Sequence, residues 1–413
     1  MRRDLSHVSL TARNALWTRL DNAVRQHPEP VDTPLAVVDL DAFDANATDL
    51  VRRAGGTPIR VASKSLRVPA LIRRALAQPG FSGVLGFTVA EALWLVDQRV
   101  SDDVVVAYPS VDRGAIGRLV GDPAALAAIT LMVDDVAHLD IVDACRSEVL
   151  APVRVCLDVD AGLHLPGAHV GPRRSPLTDA AGVRQLAEEI ARRPGFTLVG
   201  VMTYEGQVAG VSDAVPGKAP RSGVVRALKA ASVRQLAPRR DRVRTELASV
   251  LGAPALEFFN AGGSGSLETS AADPSVTEVT AGSGLLVPGI FDHYRAFAPR
   301  PAAFVGLPVT RRPGTDSVTV HGGGLIASGP TGPDRSPLPW APPGLSLTPL
   351  EGAGEVQTPL VGAPASSLAI GDLVWFRHAK SGELFEHVRD VHLLRGERLV
   401  GRVPSYRGEG LAF

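Results

Sequence analysis

Short apolar runs alternate with amphipathic stretches through the middle of the chain. The runs are mostly apolar or β-branched, which is typical of strands that are buried on both faces. They span Pro58–Ser63, Gly83–Gly86, Val104–Ala107, Ile129–Val133, Val153–Asp158, Leu198–Met202, Leu256–Asn260 and Val276–Thr280. Three-to-four spacing of apolar residues predicts helices over Val68–Gln78, Thr88–Asp97, Asp112–Val120, Asp135–Ser147, Asp179–Arg193 and Ser222–Leu251. Thr88, with Glu91 three residues later, forms a capping-box pattern at the start of one of them.

Eight strands separated by helices predict an α/β fold, a (β/α)8 TIM-like barrel, over residues 35–300. A doubly wound open sheet has the same alternation and remains an alternative at this point. Residues 1–34 are expected to form an N-terminal helical extension. The run Leu35–Leu40 precedes the eight strands and a helix over Asp41–Ala54 follows it, so we expect this leading strand to pair outside the barrel, with the C-terminal domain.

Residues 301–413 predict a C-terminal β-domain, because no helical stretch separates their strand-like runs. Those runs are Ala302–Val309, Ser317–His321, Asp372–Phe376, Val388–Leu394 and Arg398–Val403. A segment dense in proline and glycine, residues 328–364, interrupts them. It predicts an irregular surface insertion with no helix and little strand.

Composition excludes several classes of protein. Apolar residues make up 45% and charged residues 21% of the 413, so a large core can form. The 43 basic and 43 acidic residues cancel without a basic run, which disfavours nucleic-acid and anionic-membrane partners. Cys145 and Cys156 are too few for a disulfide framework or a four-cysteine metal site. The N-terminus lacks a signal-peptide pattern and the apolar stretch Gly83–Val96 is too short to span a bilayer, so we expect a soluble cytoplasmic protein.

Lys64 is the first candidate for chemistry, because it follows the first barrel strand in the run Arg60–Ser65. Active sites of such barrels lie at the carboxyl ends of the strands. A lysine there is partly desolvated, so its lowered pKa would let it form a Schiff base with a carbonyl. The alternative is an ordinary lysine on a surface loop.

Two glycine- and serine-rich loops follow the seventh and eighth strands, at Asn260–Ser266 and Thr280–Gly284. Glycines let backbone N–H groups converge on an anion, and barrels frequently bind phosphate at these two loops. The alternative is a pair of tight turns. With Lys64, the loops favour a ligand that carries a phosphate and a carbonyl. Pyridoxal 5′-phosphate has both, and so does a sugar phosphate bound as a Schiff base.

Two further residues are candidates with ordinary alternatives. Tyr204 follows the sixth strand and could bind a cofactor or transfer a proton, or it could be a packing aromatic. His378 follows a strand of the β-domain and could be a base or a metal ligand, although a lone histidine is more often structural.

In this order, the motifs resemble the alanine-racemase-like fold of pyridoxal-phosphate enzymes, and within it the branch of D-threonine aldolase and D-serine dehydratase. The matching segments are TPLAVVDLDAFDAN at 33–46, Arg60 with Lys64, GVMTYEG at 200–206, NAGGSGS at 260–266, TEVTAGSG at 277–284 and GDLVWFRHAKSGE at 371–383.

The resemblance implies roles for individual residues. Lys64 would be the Schiff-base lysine, with Arg60 and Tyr204 also at the cofactor and Thr280 facing the pyridine nitrogen. The phosphate would lie among Gly263, Ser264, Gly265, Gly282 and Ser283.

The chain also departs from the branch. There a metal usually binds a His-x-Cys pair, whereas this chain reads His378-Ala379-Lys380, and a lysine ammonium would repel a divalent cation. His378 is therefore the only family-like metal candidate, with Glu383 as a conceivable second ligand. The arginine that contacts the cofactor phenolate in alanine racemases is missing, and Arg173 or Arg174 is a substitute to consider.

The resemblance implies a homodimeric lyase that cleaves or dehydrates a β-hydroxy amino acid, most plausibly the D form. Lys64 would act as base, and His378, with Lys380 as partner, would act at the β-hydroxyl. One alternative is an amino acid racemase, whose second base would have to come from Tyr294 or Tyr406. Others are a pyridoxal-phosphate-binding protein without turnover and a Schiff-base sugar aldolase.

Overall fold

A computed structural model of the chain describes residues 8–252, 256–296, 300–330 and 332–413. Residues 1–7 of the expected N-terminal extension and residue 331 of the insertion lie outside the described residues. The α-helices are α1 (Leu10–Arg25), α2 (Leu40–Ala54), α3 (Pro69–Leu76), α4 (Val89–Asp97), α5 (Arg113–Val120), α6 (Pro123–Ala128), α7 (Val136–Asp143), α8 (Ala180–Arg192), α9 (Gly206–Ala209), α10 (Ala219–Leu251), α11 (Leu267–Ala271) and α12 (Ser283–Leu286).

Strands occupy three sheets. They are β1 (Leu35–Asp39), β2 (Ile59–Ala62), β3 (Phe81–Gly86), β4 (Val104–Val106), β5 (Ile129–Val133), β6 (Val153–Asp158), β7 (Leu163–Leu165), β8 (Ala168–Val170), β9 (Phe196–Thr203), β10 (Phe258–Ala261), β11 (Glu278–Ala281), β12 (Ala303–Gly314), β13 (Ser317–His321), β14 (Leu338–Ala341), β15 (Ser346–Leu347), β16 (Gln357–Val361), β17 (Leu373–Arg377), β18 (Asp390–Arg395) and β19 (Arg398–Pro404).

The central sheet is a closed parallel barrel in the order β2-β3-β4-β5-β6-β9-β10-β11. Closure occurs between its last and first strands, where Thr280 of β11 lies opposite Arg60 of β2. Each of the eight predicted runs overlaps one of these strands, so the predicted barrel is confirmed and the open sheet is wrong. Side chains fill the interior, among them Val105, Met132, Cys156, Val199, Met202 and Phe258.

Helix boundaries follow local capping chemistry. Thr88 caps α4 as predicted, because its hydroxyl accepts a hydrogen bond from the Glu91 N–H at 3.0 Å. The Glu91 carboxylate turns back to the N–H of Phe87 at 2.7 Å, one residue earlier than a standard capping box. It also accepts from the Tyr406 hydroxyl at 2.6 Å, which ties the barrel to the C-terminal end of the chain.

A nine-stranded sheet lies beside the barrel, with the order β15-β16-β13-β12-β1-β18-β19 and with β17 joining β12 to β14. Strand β1 pairs antiparallel with β12 and parallel with β18, so the leading strand does belong to this sheet. Helix α1 packs on the same sheet, where the Trp375 indole donates to Asp21 at 3.0 Å.

The expectation of an irregular surface insertion at 328–364 is wrong, because β14, β15 and β16 all form within it. Strand β16 pairs along its full length with β13, and the Trp340 side chain of β14 is buried. Proline lacks a backbone N–H and is tolerated in strands only where no ladder bond is needed. Pro359 meets this condition, because β15 pairs only with residues 360 and 361 of β16.

A buried ion pair joins the nine-stranded sheet to the segment after the barrel. The Arg377 guanidinium is fully buried and donates to both carboxylate oxygens of Asp292, at 2.8 and 2.9 Å. It also donates to the Val287 carbonyl at 2.9 Å. Among the described residues, no helix is both long and apolar enough to cross a membrane.

We expect Asp292→Ala to lower the free energy of unfolding by about 3–5 kcal/mol, because the Arg377 charge would stay buried without its carboxylate. Urea denaturation followed by circular dichroism measures the change. Asp241→Ala is the matched control, since Asp241 pairs with Arg244 at 2.9 Å on the surface. The control should cost about 1 kcal/mol or less. Equal stability of the two variants would show that the buried pair is not an anchor.

Candidate active site

A cavity opens at the carboxyl ends of the barrel strands. Residues that directly follow a strand provide much of its wall. Of the predicted site residues, the cavity is lined by Lys64, Tyr204, Gly263, Ser264, Thr280, Gly282 and Ser283. These seven come from the ends of four strands, as expected for a barrel active site.

Lys64 lies in a short 3-10 turn, Ser63–Ser65, that directly follows β2. Its Nζ donates to the Tyr108 hydroxyl at 2.7 Å and lies 5.4 Å from the centre of that ring. Sequence reasoning missed Tyr108, although it follows β4 by two residues. The rule that singled out Lys64 and Tyr204, a reactive side chain just after a barrel strand, would have found it.

The two Gly-Ser loops lie against each other. The Ser264 hydroxyl accepts from the Gly284 N–H at 2.9 Å and from the Gly282 N–H at 3.4 Å. A Cβ added to Gly282 would lie 2.7 Å from the Ala62 carbonyl oxygen, and one added to Gly263 would lie 3.1 Å from the Ala209 Cβ. Only glycine therefore lets the backbone approach this closely, which leaves a concave surface of N–H and hydroxyl groups next to Lys64.

Glu205 holds the first of these loops from behind. Its buried carboxylate accepts from the Ser266 hydroxyl at 2.8 Å, from the Gly262 N–H at 3.2 Å and from the Ser270 hydroxyl. Arg240 of α10 balances the charge with an ion pair at 2.8 Å. This buried network fixes the loop and, through the adjacent residue in the chain, the position of Tyr204.

Two cavity residues have strongly shifted pKa values. Burial, reinforced by the Glu205 carboxylate, raises the pKa of Tyr204 to about 12, so its phenol is protonated at neutral pH. Burial, reinforced by the neighbouring Asp134, raises the pKa of Asp158 to about 7. Sequence reasoning missed Asp158, which is the last residue of β6 and lines the cavity.

Thr280 and Asn260 form a neutral pair at the ends of two adjacent strands. The Asn260 amide donates to the Thr280 hydroxyl at 2.9 Å and to Glu278 at 2.7 Å. Both Thr280 and Asn260 line the cavity. Arg174 also lines it, with its guanidinium 6.0 Å from the Tyr108 ring and 5.9 Å from the Tyr204 ring.

Arg60 does not line the cavity. Its buried guanidinium donates to both oxygens of Glu278 at 2.7 Å and to Asp103 at 2.9 Å, deeper in the barrel. The expected cofactor contact is therefore replaced by a structural ion pair. Gly265 is also outside the cavity, because it packs so closely on the Ala209 carbonyl that an added Cβ would overlap it.

His378 is likewise behind the cavity wall rather than in it. Its ring is buried, and Nε2 lies 3.1 Å from the Ser381 hydroxyl. Burial and the charge of Arg377 lower the pKa of His378 to about 3, so the imidazole is neutral at physiological pH. Lys380 and Ser381 line the cavity in its place. The expectation that His378 itself reaches the substrate is therefore not supported.

Within the described ranges, one group of three side chains could hold a metal ion, Asp160, His164 and His169. The carboxylate of Asp160 already contacts His164 Nε2 at 2.7 Å and His169 Nε2 at 3.0 Å. Arg239 adds a cation 3.4 Å from the same carboxylate. These contacts fix the β7–β8 hairpin to the end of β6, and His378 does not belong to this group.

Comparison with known proteins gives a consistent grouping. The family model for the alanine racemase N-terminal domain matches residues 38–282. A D-threonine aldolase from Arthrobacter sp. is 28% identical over 325 residues, which cover 77% of this chain and 78% of that protein.

Two solved structures share the fold over nearly the whole chain. The D-threonine aldolase from Filomicrobium marinum superposes with a TM-score of 0.72 at 20% identity, covering 93% of this chain and 96% of its own. The D-threo-3-hydroxyaspartate dehydratase from Delftia sp. HT23 gives 0.70 at 19% identity, covering 91% and 97%.

Asp158→Asn should change how stability depends on pH. The native carboxyl, with a pKa of about 7, holds a proton that the unfolded chain releases above its ordinary value of 3.8. Wild-type stability therefore falls as pH rises through this window, and the variant lacks that contribution. From about pH 5 to pH 8, we expect the variant to gain on the order of 2–4 kcal/mol relative to wild type.

Urea denaturation at several pH values measures this difference. Asp97→Asn is the control, because Asp97 is exposed at the end of α4. If the two variants keep the same offset from wild type at every pH, Asp158 does not hold its proton in the folded protein.

Proposed function

Because this chain belongs to the alanine racemase family, as defined by its N-terminal domain, we propose that it is a pyridoxal-phosphate-dependent lyase of D-β-hydroxy amino acids. One observation carries the proposal. The amine of Lys64 and both Gly-Ser loops line the same cavity, so a single ligand with an aldehyde and a phosphate reaches both.

The residues present fit this cofactor. Lys64 Nζ would bind its aldehyde, and the N–H and hydroxyl groups around Gly263, Ser264, Gly282 and Ser283 would hold its phosphate. The cradle excludes any side chain larger than hydrogen at Gly282, where the backbone comes closest. When bound, the cofactor would withdraw electrons from the bonds at the substrate α-carbon. The neutral Thr280 and Asn260 pair would leave the ring nitrogen without a cationic or anionic partner.

The chain's own groups supply binding and proton transfer. Once the substrate amine takes its place at the cofactor, Lys64 Nζ is free to hold or deliver a proton at the α-carbon, and the Tyr108 hydroxyl positions it. Arg174 offers a cation for the substrate carboxylate beside Tyr108 and Tyr204. Tyr204 donates rather than accepts at neutral pH, because its pKa is about 12.

Two observations favour a lyase over a racemase. The named relatives are an aldolase and a dehydratase of D-amino acids, and both names specify or imply a β-hydroxyl group. A racemase also needs a second base, for which Tyr294 and Tyr406 were the candidates. In this fold the Tyr294 hydroxyl donates to the Ala209 carbonyl at 2.9 Å, and the Tyr406 hydroxyl donates to Glu91 at 2.6 Å. We further propose a homodimer, to be checked by analytical ultracentrifugation.

Lys64→Ala tests the proposal. The purified wild-type protein should show the visible absorption band of lysine-bound cofactor, and borohydride reduction should leave the cofactor mass on the peptide that contains Lys64. The variant should lose both signals. Cleavage or deamination of D-threonine and D-threo-3-hydroxyaspartate should fall by a factor on the order of 10³ or more.

Lys218→Ala is the matched control, because Lys218 is exposed before α10 and lies outside the cavity. It should keep the band and the turnover. A wild-type protein that carries the cofactor but turns over no β-hydroxy amino acid would instead support a binding protein, and racemisation of D-alanine or D-serine without cleavage would support a racemase. An unchanged band in Lys64→Ala would overturn the assignment of the lysine.

A further inference from the structure

Resting on the proposed function, we propose that Lys380 is the second proton-transfer residue of the site and acts on the β-hydroxyl of the substrate. In the cleavage direction, the neutral amine takes the hydroxyl proton as the Cα–Cβ bond breaks and the β-carbon becomes an aldehyde. The electron pair of that bond stays with the α-carbon, which receives a proton from Lys64. Both amines exchange protons with solvent, so no oxidant or further reactant is needed.

Backbone contacts place Lys380 beside Lys64. Lys380 follows β17 by three residues and lines the same cavity as Lys64. The Gly289 N–H donates to the His378 carbonyl at 3.0 Å, and the Ile290 N–H donates to the Ala379 carbonyl at 3.1 Å. These bonds fix the chain immediately before Lys380 to the segment that follows the barrel.

Gly382 brings the same loop onto the Lys64 turn. Its φ is +101°, and a Cβ added there would overlap the Lys64 carbonyl oxygen. The loop that carries Lys380 is therefore packed directly on the turn that carries Lys64. The two amines face one cavity because of close backbone packing and not because of flexible side chains alone.

The use of lysine at this position is itself informative. The chain contains only four lysines, Lys64, Lys218, Lys229 and Lys380, against 39 arginines. Two of the four line one cavity. Where the chain uses a permanent cation in a buried pair, as at Arg60, Arg240 and Arg377, it uses arginine. An amine can lose its proton at accessible pH and a guanidinium cannot, so a cavity that selects lysine selects a group that titrates.

The surroundings of Lys380 favour a neutral amine. Its Nζ donates to the Ser328 hydroxyl at 3.0 Å, and no carboxylate among the described residues lies within ion-pair distance. By contrast, Lys229 pairs with Asp213 at 3.2 Å. Burial is the main cause that lowers the pKa of Lys380. The charge of Glu383 opposes the shift, those of Lys64 and Arg335 add to it, and Tyr108 is the remaining titratable neighbour.

The same arrangement gives His378 a positioning role. Its Nε2 contacts the hydroxyl of Ser381, the residue after Lys380, from behind the cavity wall. An amine at Lys380 also makes this wall unsuitable for a divalent cation when it is protonated. Turnover is therefore expected to survive dialysis against a chelator.

Lys380→Met and Lys380→Arg separate the two proton-transfer steps. With both variants, exchange of the substrate α-hydrogen with deuterium from the solvent, followed by NMR, should continue within about threefold of wild type because Lys64 is intact. Cleavage or dehydration should fall by a factor on the order of 10² to 10⁴. Lys229→Met is the control, since Lys229 lies outside the cavity lining and should leave both reactions unchanged.

Restoring an amine gives a second arm. Lys380→Cys treated with bromoethylamine recreates an amine of nearly the same length, and cleavage should recover at least tenfold over the untreated variant. The same treatment of wild type corrects for reaction at Cys145, which is partly accessible. Recovery would show that the Lys380→Met loss does not come from misfolding.

A measurement on the cofactor-free protein is independent of turnover. Competitive labelling with acetic anhydride across a pH series, read by mass spectrometry, reports the titration of each of the four lysines. Lys380 should become reactive at lower pH than Lys218.

Three results would overturn the inference. They are labelling of Lys380 at the same pH as Lys218, cleavage by Lys380→Met within threefold of wild type, or loss of α-hydrogen exchange together with cleavage. If wild type shows neither bound cofactor nor exchange, the proposed function fails first and this inference with it.

Discussion

Pairing of the last barrel strand with the first is the constraint on which the site depends. Thr280 lies opposite Arg60 in this pair, so the two strands end side by side although more than 200 residues separate them. The next residues along each strand are Lys64 and Gly282. Their backbones meet so closely at the turn that a methyl group on Gly282 would lie 2.7 Å from the Ala62 carbonyl oxygen. Barrel closure therefore brings a reactive amine and an anion-binding loop together before any ligand binds.

Buried ion pairs hold the parts of the site in register. Glu205 and Arg240 fix the Gly262–Ser266 loop, while Asp292 and Arg377 hold the segment after the barrel against the nine-stranded sheet. Burying two charges costs nearly as much as their attraction returns, so such pairs contribute little net stability. Their geometry is nevertheless specific, because a guanidinium bonds a carboxylate only in a planar, directional arrangement. The pairs serve mainly to exclude alternative loop positions.

Sequence reasoning predicted the parts of this molecule that depend on local patterns. Apolar runs identified all eight barrel strands, and the residues just after them include Lys64, Tyr204 and both Gly-Ser loops. It failed where the direction of a side chain decides. Arg60 and Lys64 are four residues apart, yet one side chain enters the barrel interior and the other reaches the cavity. His378 and Lys380 differ in the same way, because the position of a residue after a strand does not reveal which wall its side chain faces.

The insertion and the support network escaped for a different reason. Strands β14 to β16 contain prolines and are short, so their local pattern is that of a loop, and only pairing with β13 and β17 makes them strands. Glu205 and Arg240 are 35 residues apart and belong to different elements, so nothing local indicates that they meet.

Proton positions in the cavity follow from the same packing. Around Lys64 the barrel places a phenol, Tyr204, whose pKa of about 12 keeps it protonated, and a carboxyl, Asp158, whose pKa of about 7 lets it change state near neutrality. Burial is the first cause of both shifts, so they depend on the closed barrel and not on a single partner. A ligand with a phosphate would bring negative charge into this space and stabilise the ammonium forms of nearby amines. Binding of the phosphate and the protonation of the lysines are thus coupled, and the affinity of the cavity for an anion must fall as those amines lose their protons.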